Sequence, residues 1–145
     1  MTAIPTTPSH RSLRGPLAWG VVVGVIQAAS PFAFSWIDPA TVYALGLTLI
    51  AAVYVGFAVA DGRRHVLAVE TVVAAAFVVV ATAAVPGPAW LIVAGLAGHG
   101  VKDTWQHRTG FVAGTRWWPP FCAAVDFVAA ALIAVAIVAG LPLLF

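Results

Sequence analysis

Five long apolar runs restrict the fold of this chain more than any other feature. Each approaches or exceeds the ~20 residues that a helix needs to cross ~30 Å of hydrocarbon. The runs are Leu17–Phe34, Ala40–Ala60, Val66–Val85, Pro88–Gln106 and Pro119–Leu141. They predict an all-α polytopic membrane bundle of five transmembrane helices. Residues 17–145 would form this single domain, and residues 1–16 a flexible cytoplasmic tail.

Composition supports a membrane protein over a soluble domain. Hydrophobic residues make up 62% of the chain and charged residues 8%, whereas soluble domains are about 45–50% apolar and about 25% charged. One soluble core of this size could not enclose so much apolar surface. We therefore expect a multi-pass protein of the cell membrane, with the lipid bilayer as its partner. The abundance of Ala and Val is typical of a GC-rich bacterial gene.

The basic residues predict the orientation of the five spans. Six of the seven Lys and Arg residues fall before span 1, between spans 2 and 3, or between spans 4 and 5; these are Arg11, Arg14, Arg63, Arg64, Arg108 and Arg116. Loops 36–39 and 86–88 contain none. By the positive-inside rule, the N-terminus is cytoplasmic and the C-terminus lies outside.

The same composition excludes two other classes of protein. The net charge is only +2, and no basic patch with interleaved aromatic residues is present, so we predict no nucleic-acid partner. The single cysteine, Cys122, excludes an internal disulfide framework and a cysteine-based zinc cluster.

Span 4 carries an unusual polar stripe. On a helix that turns about 100° per residue, five polar side chains share an arc of roughly 140°. They are His99, Lys102, Asp103, Gln106 and His107. Ionisable groups inside spans are costly and usually face a protein interior or water. This face of span 4 is therefore expected to take part in function.

Carboxylates on three spans share one predicted depth. Counted from the nearest cytoplasmic loop at 1.5 Å per residue, Glu70, Asp103 and Asp126 all lie roughly 7–11 Å below the cytoplasmic interface. Such a layer predicts one buried site near the cytoplasmic leaflet.

Neutral histidine nitrogens and carboxylate oxygens suit Zn²⁺ or a non-haem Fe or Mn ion. The candidate metal ligands are His99, Asp103, His107, Glu70 and Asp126. Glu70, Asp103 and Asp126 are also the candidate catalytic groups, and Lys102 and Gln106 the candidate substrate-binding groups.

Plainer interpretations of the same residues stay open. His107 adjoins Arg108 and could be interfacial, while Lys102 could extend to the cytoplasmic side or pair with Glu70 or Asp126. Glu70 and Asp126 could also be protonated and merely hydrogen-bonded.

The motif His99-x3-Asp103-x2-Gln106-His107, followed by Pro119-Pro120-Phe121-Cys122-x3-Asp126, resembles uncharacterised small bacterial multi-pass membrane proteins. Those proteins carry a His-x3-Asp-x2-His-His signature and a later Asp. In this sequence Gln106 stands at the first of the paired His positions. The resemblance implies a multi-pass fold and brings no activity with it.

Three functions are compatible with these patterns. The first is a metal-dependent enzyme acting on a lipophilic small molecule, such as an isoprenoid or a lipid. The second is a proton-coupled transporter, in which buried acids and histidines form a relay; five spans without an inverted repeat would then require a homo-oligomer. The third is a small structural or partner-binding subunit, with the polar groups joining its helices.

Overall fold

The computed structural model describes residues 13–141, and this part of the chain consists of helices joined by short loops. The helices are α1 (Arg14–Ala33), α2 (Pro39–Asp61), α3 (Arg64–Ala84), α4 (Trp90–Thr109) and α5 (Trp118–Val138). Each apolar run of the sequence corresponds to one helix, which confirms the all-α fold. α1 begins at Arg14, within the stretch assigned to the tail; residues 1–12, with Arg11, and residues 142–145 lie outside the described range.

The turn residues of the sequence define the helix ends. The Asp38 side chain accepts a hydrogen bond from the backbone N–H of Thr41 (3.1 Å), and Pro39 is the first residue of α2. This is the usual N-cap arrangement. α2 and α4 each end at a glycine with positive φ, Gly62 (78°) and Gly110 (58°), a conformation that other residues adopt at a cost.

The helices pack in the order α1, α5, α4, α3 and α2, and α2 also contacts α1 and α4. α1 approaches α5 closely at two glycines. A Cβ atom at Gly20 would lie 2.5 Å from the carbonyl oxygen of Phe121, and one at Gly24 would lie 2.8 Å from that of Val125. Because glycine has no Cβ atom, Gly20 and Gly24 allow α1 and α5 to approach this closely.

Apolar packing occupies two zones along the bundle. The larger cluster includes Tyr43, Leu47, Leu96 and Ile133. The smaller cluster consists of Tyr54, Ala58, Val66 and Val112 and lies near the α2–α3 and α4–α5 loops. Buried polar side chains occupy the turns of α4 that follow Leu96.

The outer surface of the bundle is apolar. Side chains such as Leu49, Val72, Val79 and Val138 are more than two-thirds exposed, which is unfavourable in water over so wide an area. Four helices, α1, α2, α3 and α5, are long and apolar enough to cross a membrane. α4 is not among them, because its second half contains the polar stripe.

Candidate metal centre

His99, Asp103 and Asp126 form a completely buried group between α4 and α5, with no side-chain exposure above 1%. His99 Nδ1 is hydrogen-bonded to Asp126 Oδ2 at 2.8 Å and lies 3.3 Å from Asp103 Oδ2. One ligand atom from each residue lies within 4.8 Å of the others, close enough for all three to hold a single ion.

Two local features of the sequence build this group. His99 and Asp103 are four residues apart on α4, so their side chains lie on the same face of the helix. Between them Gly100 lets α5 approach, since a Cβ atom there would lie 3.2 Å from Asp126 Cβ and 3.1 Å from the Phe127 ring. The absence of a side chain at Gly100 therefore brings the Asp126 carboxylate to the imidazole.

The group is not satisfied by its own hydrogen bonds. Within residues 13–141, four of its buried atoms have no hydrogen-bond partner: His99 Nε2, both carboxylate oxygens of Asp103, and Asp126 Oδ1. Buried polar atoms are nearly always paired, and an unpaired one costs about 1–3 kcal/mol. Three carboxylate oxygens without hydrogen bonds, beside an imidazole, are donors that suit a divalent cation.

A second polar cluster, formed by Glu70, Lys102 and Gln106, lies beside the first. Lys102 Nζ donates to Glu70 Oε2 at 2.7 Å, and Gln106 Nε2 donates to Glu70 Oε1. Gln106 Oε1 accepts from the backbone N–H of Val112 at 3.3 Å. Lys102 Nζ also lies 3.1 Å from the centre of the Tyr54 ring, a cation–π contact. Both carboxylate oxygens of Glu70 are therefore engaged.

Hydrogen bonds connect the α2–α3 loop to the α4–α5 loop at the end of the bundle nearest the two clusters. The Asp61 carboxylate binds the Arg63 guanidinium (2.6 Å to Nε) and accepts from the backbone N–H of Ala113 at 2.7 Å. Arg63 Nη2 donates to the carbonyl oxygen of Phe111 at 2.7 Å. The hydrogen-bonded carboxylate raises the pKa of Arg63 above its usual value. These loops, which the charge pattern assigned to one side of a membrane, thus meet at one end of the bundle.

Only three of the five predicted metal ligands lie together in the structure. It brings His99, Asp103 and Asp126 together, whereas Glu70 lies in the neighbouring cluster. His107 is exposed in the last turn of α4 and does not join either cluster. The ion pair of Lys102 with Glu70 is the alternative that the sequence left open. Both predicted substrate-binding side chains, Lys102 and Gln106, contact Glu70.

Sequence reasoning missed Tyr54. This residue is completely buried on α2, and its ring lies 5.9 Å from the His99 ring and against Lys102 Nζ. Depth was the available signal: Tyr54 lies 7 residues before Asp61, just as Asp126 lies 7 residues after Pro119. A count restricted to carboxylates, histidines and lysines passes over this tyrosine.

The chain matches no protein-family model, no curated protein and no solved structure. The proposal of a function therefore depends on the geometry of the site.

Proposed function

We propose that this protein is an integral membrane protein of the cell membrane that binds a divalent metal ion, Zn²⁺ or Fe²⁺, at His99, Asp103 and Asp126, and acts as an enzyme on a lipophilic substrate. One observation carries the proposal: a fully buried histidine and two aspartates retain four polar atoms without a hydrogen-bond partner.

Charge balance supports the metal. The Glu70–Lys102 ion pair is neutral as a unit, so the two aspartates are the remaining negative charges among the buried side chains of the described helices. Unbalanced charges in a medium of low dielectric constant are strongly unfavourable. A protonated His99 would balance one of these charges, whereas a divalent cation would balance both and leave the imidazole as a neutral third ligand.

We further propose that α4 is a fifth span. Its 20 residues correspond to about 30 Å of helix, enough to cross the hydrocarbon region. Its buried polar residues face the bundle, whereas Val101 and Trp105 on the opposite side are 62% and 46% exposed. With five spans the joined, arginine-bearing loops lie on the cytoplasmic side, the C-terminus lies outside, and the metal site lies in the cytoplasmic leaflet.

A bound metal of this kind supplies Lewis-acid activation of an oxygen ligand. The chain's own contribution is to exclude bulk water and to hold the donors in place. Asp103 has two oxygens without hydrogen bonds, so it could bind the ion through one and accept a proton from a reacting group through the other; Asp126 has one such oxygen, which could bind the ion. Glu70, with both oxygens engaged, is assigned to structural support.

Elemental analysis of the detergent-purified protein tests the metal centre. The wild type should contain about one divalent ion per chain, and His99→Ala should contain almost none. His107→Ala is the matched control, because it removes the same side chain from an exposed position on the same helix. Metal in both variants would refute the site, and loss in both would return His107 to the ligand set.

A proton-coupled transporter is the second candidate, and one contact favours it. The direct hydrogen bond from His99 to Asp126, with Asp103 3.3 Å from the same nitrogen, is an arrangement through which protons can pass. Proton flux into liposomes driven by a pH gradient, abolished by Asp126→Asn, would favour transport. Stoichiometric metal without flux would favour the enzyme.

A further inference from the structure

The two tyrosines of the chain differ in one respect. Both are on α2 and both are completely buried. The Tyr43 hydroxyl donates to the carbonyl oxygen of Ala28 at 2.7 Å. The Tyr54 hydroxyl has no hydrogen-bond partner among residues 13–141. Buried phenols normally donate a hydrogen bond to an acceptor. The unpaired Tyr54 hydroxyl therefore indicates a bound ligand that accepts this hydrogen bond.

The surroundings of Tyr54 indicate where this ligand lies. The Tyr54 hydroxyl is close enough to the Asp103 carboxylate to interact with it electrostatically, and neither the hydroxyl nor either Asp103 oxygen has a hydrogen-bond partner among residues 13–141. Its ring centre is 5.9 Å from that of His99. The phenol therefore borders the candidate metal centre on the α2 side, whereas Asp126 approaches it from α5.

Lys102 makes the Tyr54 hydroxyl a stronger hydrogen-bond donor. Its ammonium group lies 3.1 Å from the Tyr54 ring centre, and a cation on the ring face draws electron density from the phenol and makes its O–H a stronger donor. Hydrogen bonds to charged oxygens are about twice as strong as those between neutral groups.

We propose that Tyr54 donates a hydrogen bond to an oxygen ligand of the metal, and that the substrate is an amphiphile that presents a carboxylate or phosphate oxygen at this position. The assignment rests on the proposed metal centre. Three protein ligands leave a fourth position of a tetrahedral ion for such a group, as in catalytic zinc sites. Tyr54 is therefore a substrate-binding residue and not a metal ligand.

Cobalt substitution tests this assignment without an activity assay. Co²⁺ replaces the ion in wild type, Tyr54→Phe and Tyr43→Phe, and acetate or inorganic phosphate is titrated while the visible cobalt spectrum is recorded. Tyr54→Phe keeps the ring beneath Lys102 and removes only the hydroxyl. Tyr43→Phe removes the other buried hydroxyl, which lies in the apolar cluster of Leu47 and Leu96.

We expect all three proteins to bind one Co²⁺ per chain. Tyr54→Phe should bind one of the two probes about tenfold or more weakly than wild type, the size expected for a lost hydrogen bond to a charged oxygen. Tyr43→Phe should match the wild-type affinity. The probe affected identifies a carboxylate or a phosphate as the recognised group.

Three results would overturn the assignment of Tyr54: equal affinities in wild type and Tyr54→Phe, a wild-type spectrum that neither probe alters, or loss of cobalt itself from Tyr54→Phe. An equal weakening in Tyr43→Phe would do the same, because the effect would then not be specific to Tyr54. Failure of the wild type to bind Co²⁺ would refute the metal centre on which the assignment rests, and so separates the two proposals.

Discussion

The two polar clusters use neighbouring residues of α4, together with one residue each from α3 and α5, and differ in how their polar groups are satisfied. In the cluster of Glu70, Lys102 and Gln106, every carboxylate oxygen and both ends of the amide have partners. In the group of His99, Asp103 and Asp126, four buried atoms have none. Helices can be joined by satisfied polar contacts alone. The unsatisfied group is therefore the better candidate for a ligand site, although Glu70 and Gln106 are as deeply buried as its members.

The largest expected effect comes from breaking the satisfied cluster. Lys102→Met leaves the Glu70 carboxylate buried without its cation, which should lower the free energy of unfolding by about 3–5 kcal/mol. Unfolding in mixed detergent micelles, followed by circular dichroism, measures this change. The double variant Glu70→Leu/Lys102→Leu is the control and should recover most of the loss, because no isolated charge remains. A Lys102→Met protein as stable as wild type would refute the structural role of the pair.

Binding of the metal should have the next largest effect on stability. A ligand at 100 times its dissociation constant stabilises the folded state by about 2.7 kcal/mol. Adding Zn²⁺ to chelator-treated wild type should therefore raise its stability in the same assay by about this amount. Asp103→Asn should show no such increase, and without metal it should be at least as stable as wild type, because a buried charge has been removed. Equal stabilisation of both proteins would place the ion elsewhere.

The smallest effect concerns the link between Gln106 and the α4–α5 loop. Gln106→Leu removes the hydrogen bonds to Glu70 and to the Val112 N–H, which should cost about 1–3 kcal/mol. Hydrogen–deuterium exchange should accelerate in residues 110–117, because Val112 loses its acceptor there. Exchange in α1 is the internal reference and should not change. Unchanged exchange of the loop would show that the Asp61 and Arg63 contacts suffice to hold it.

Much of the fold follows from local sequence properties. The apolar runs determine the helices, and Asp38-Pro39 and Gly62 mark their ends. The arginine pattern assigned the α2–α3 and α4–α5 loops to one side, and the contacts of Asp61 with Ala113 and of Arg63 with Phe111 are consistent with it. The number of spans and their orientation remain predictions, since only four helices have the hydropathy of a span.

The site was predictable only in part. The four-residue spacing of His99 and Asp103 identified one helix face. The depth count grouped Asp126 with Asp103, and in the structure Asp126 is hydrogen-bonded to His99 on that face. The choice between Glu70 and Asp126 as the partner of Lys102, and the exposure of His107, could not be derived from spacing or depth. Depth alone places Tyr54 near this level but does not show that its ring lies against His99.

The physical reason is that a sequence determines local properties of each helix but not how the helices pack together. Hydropathy and helical periodicity determine which residues form a span and which share a face. How the helices rotate about their axes, and how closely they approach, depends on packing between distant residues, here on the contact that Gly100 permits with Asp126. The sequence alone thus determined a bundle of apolar helices with a polar face on α4. Only the tertiary structure decided which of those polar groups satisfy one another and which remain free for a ligand.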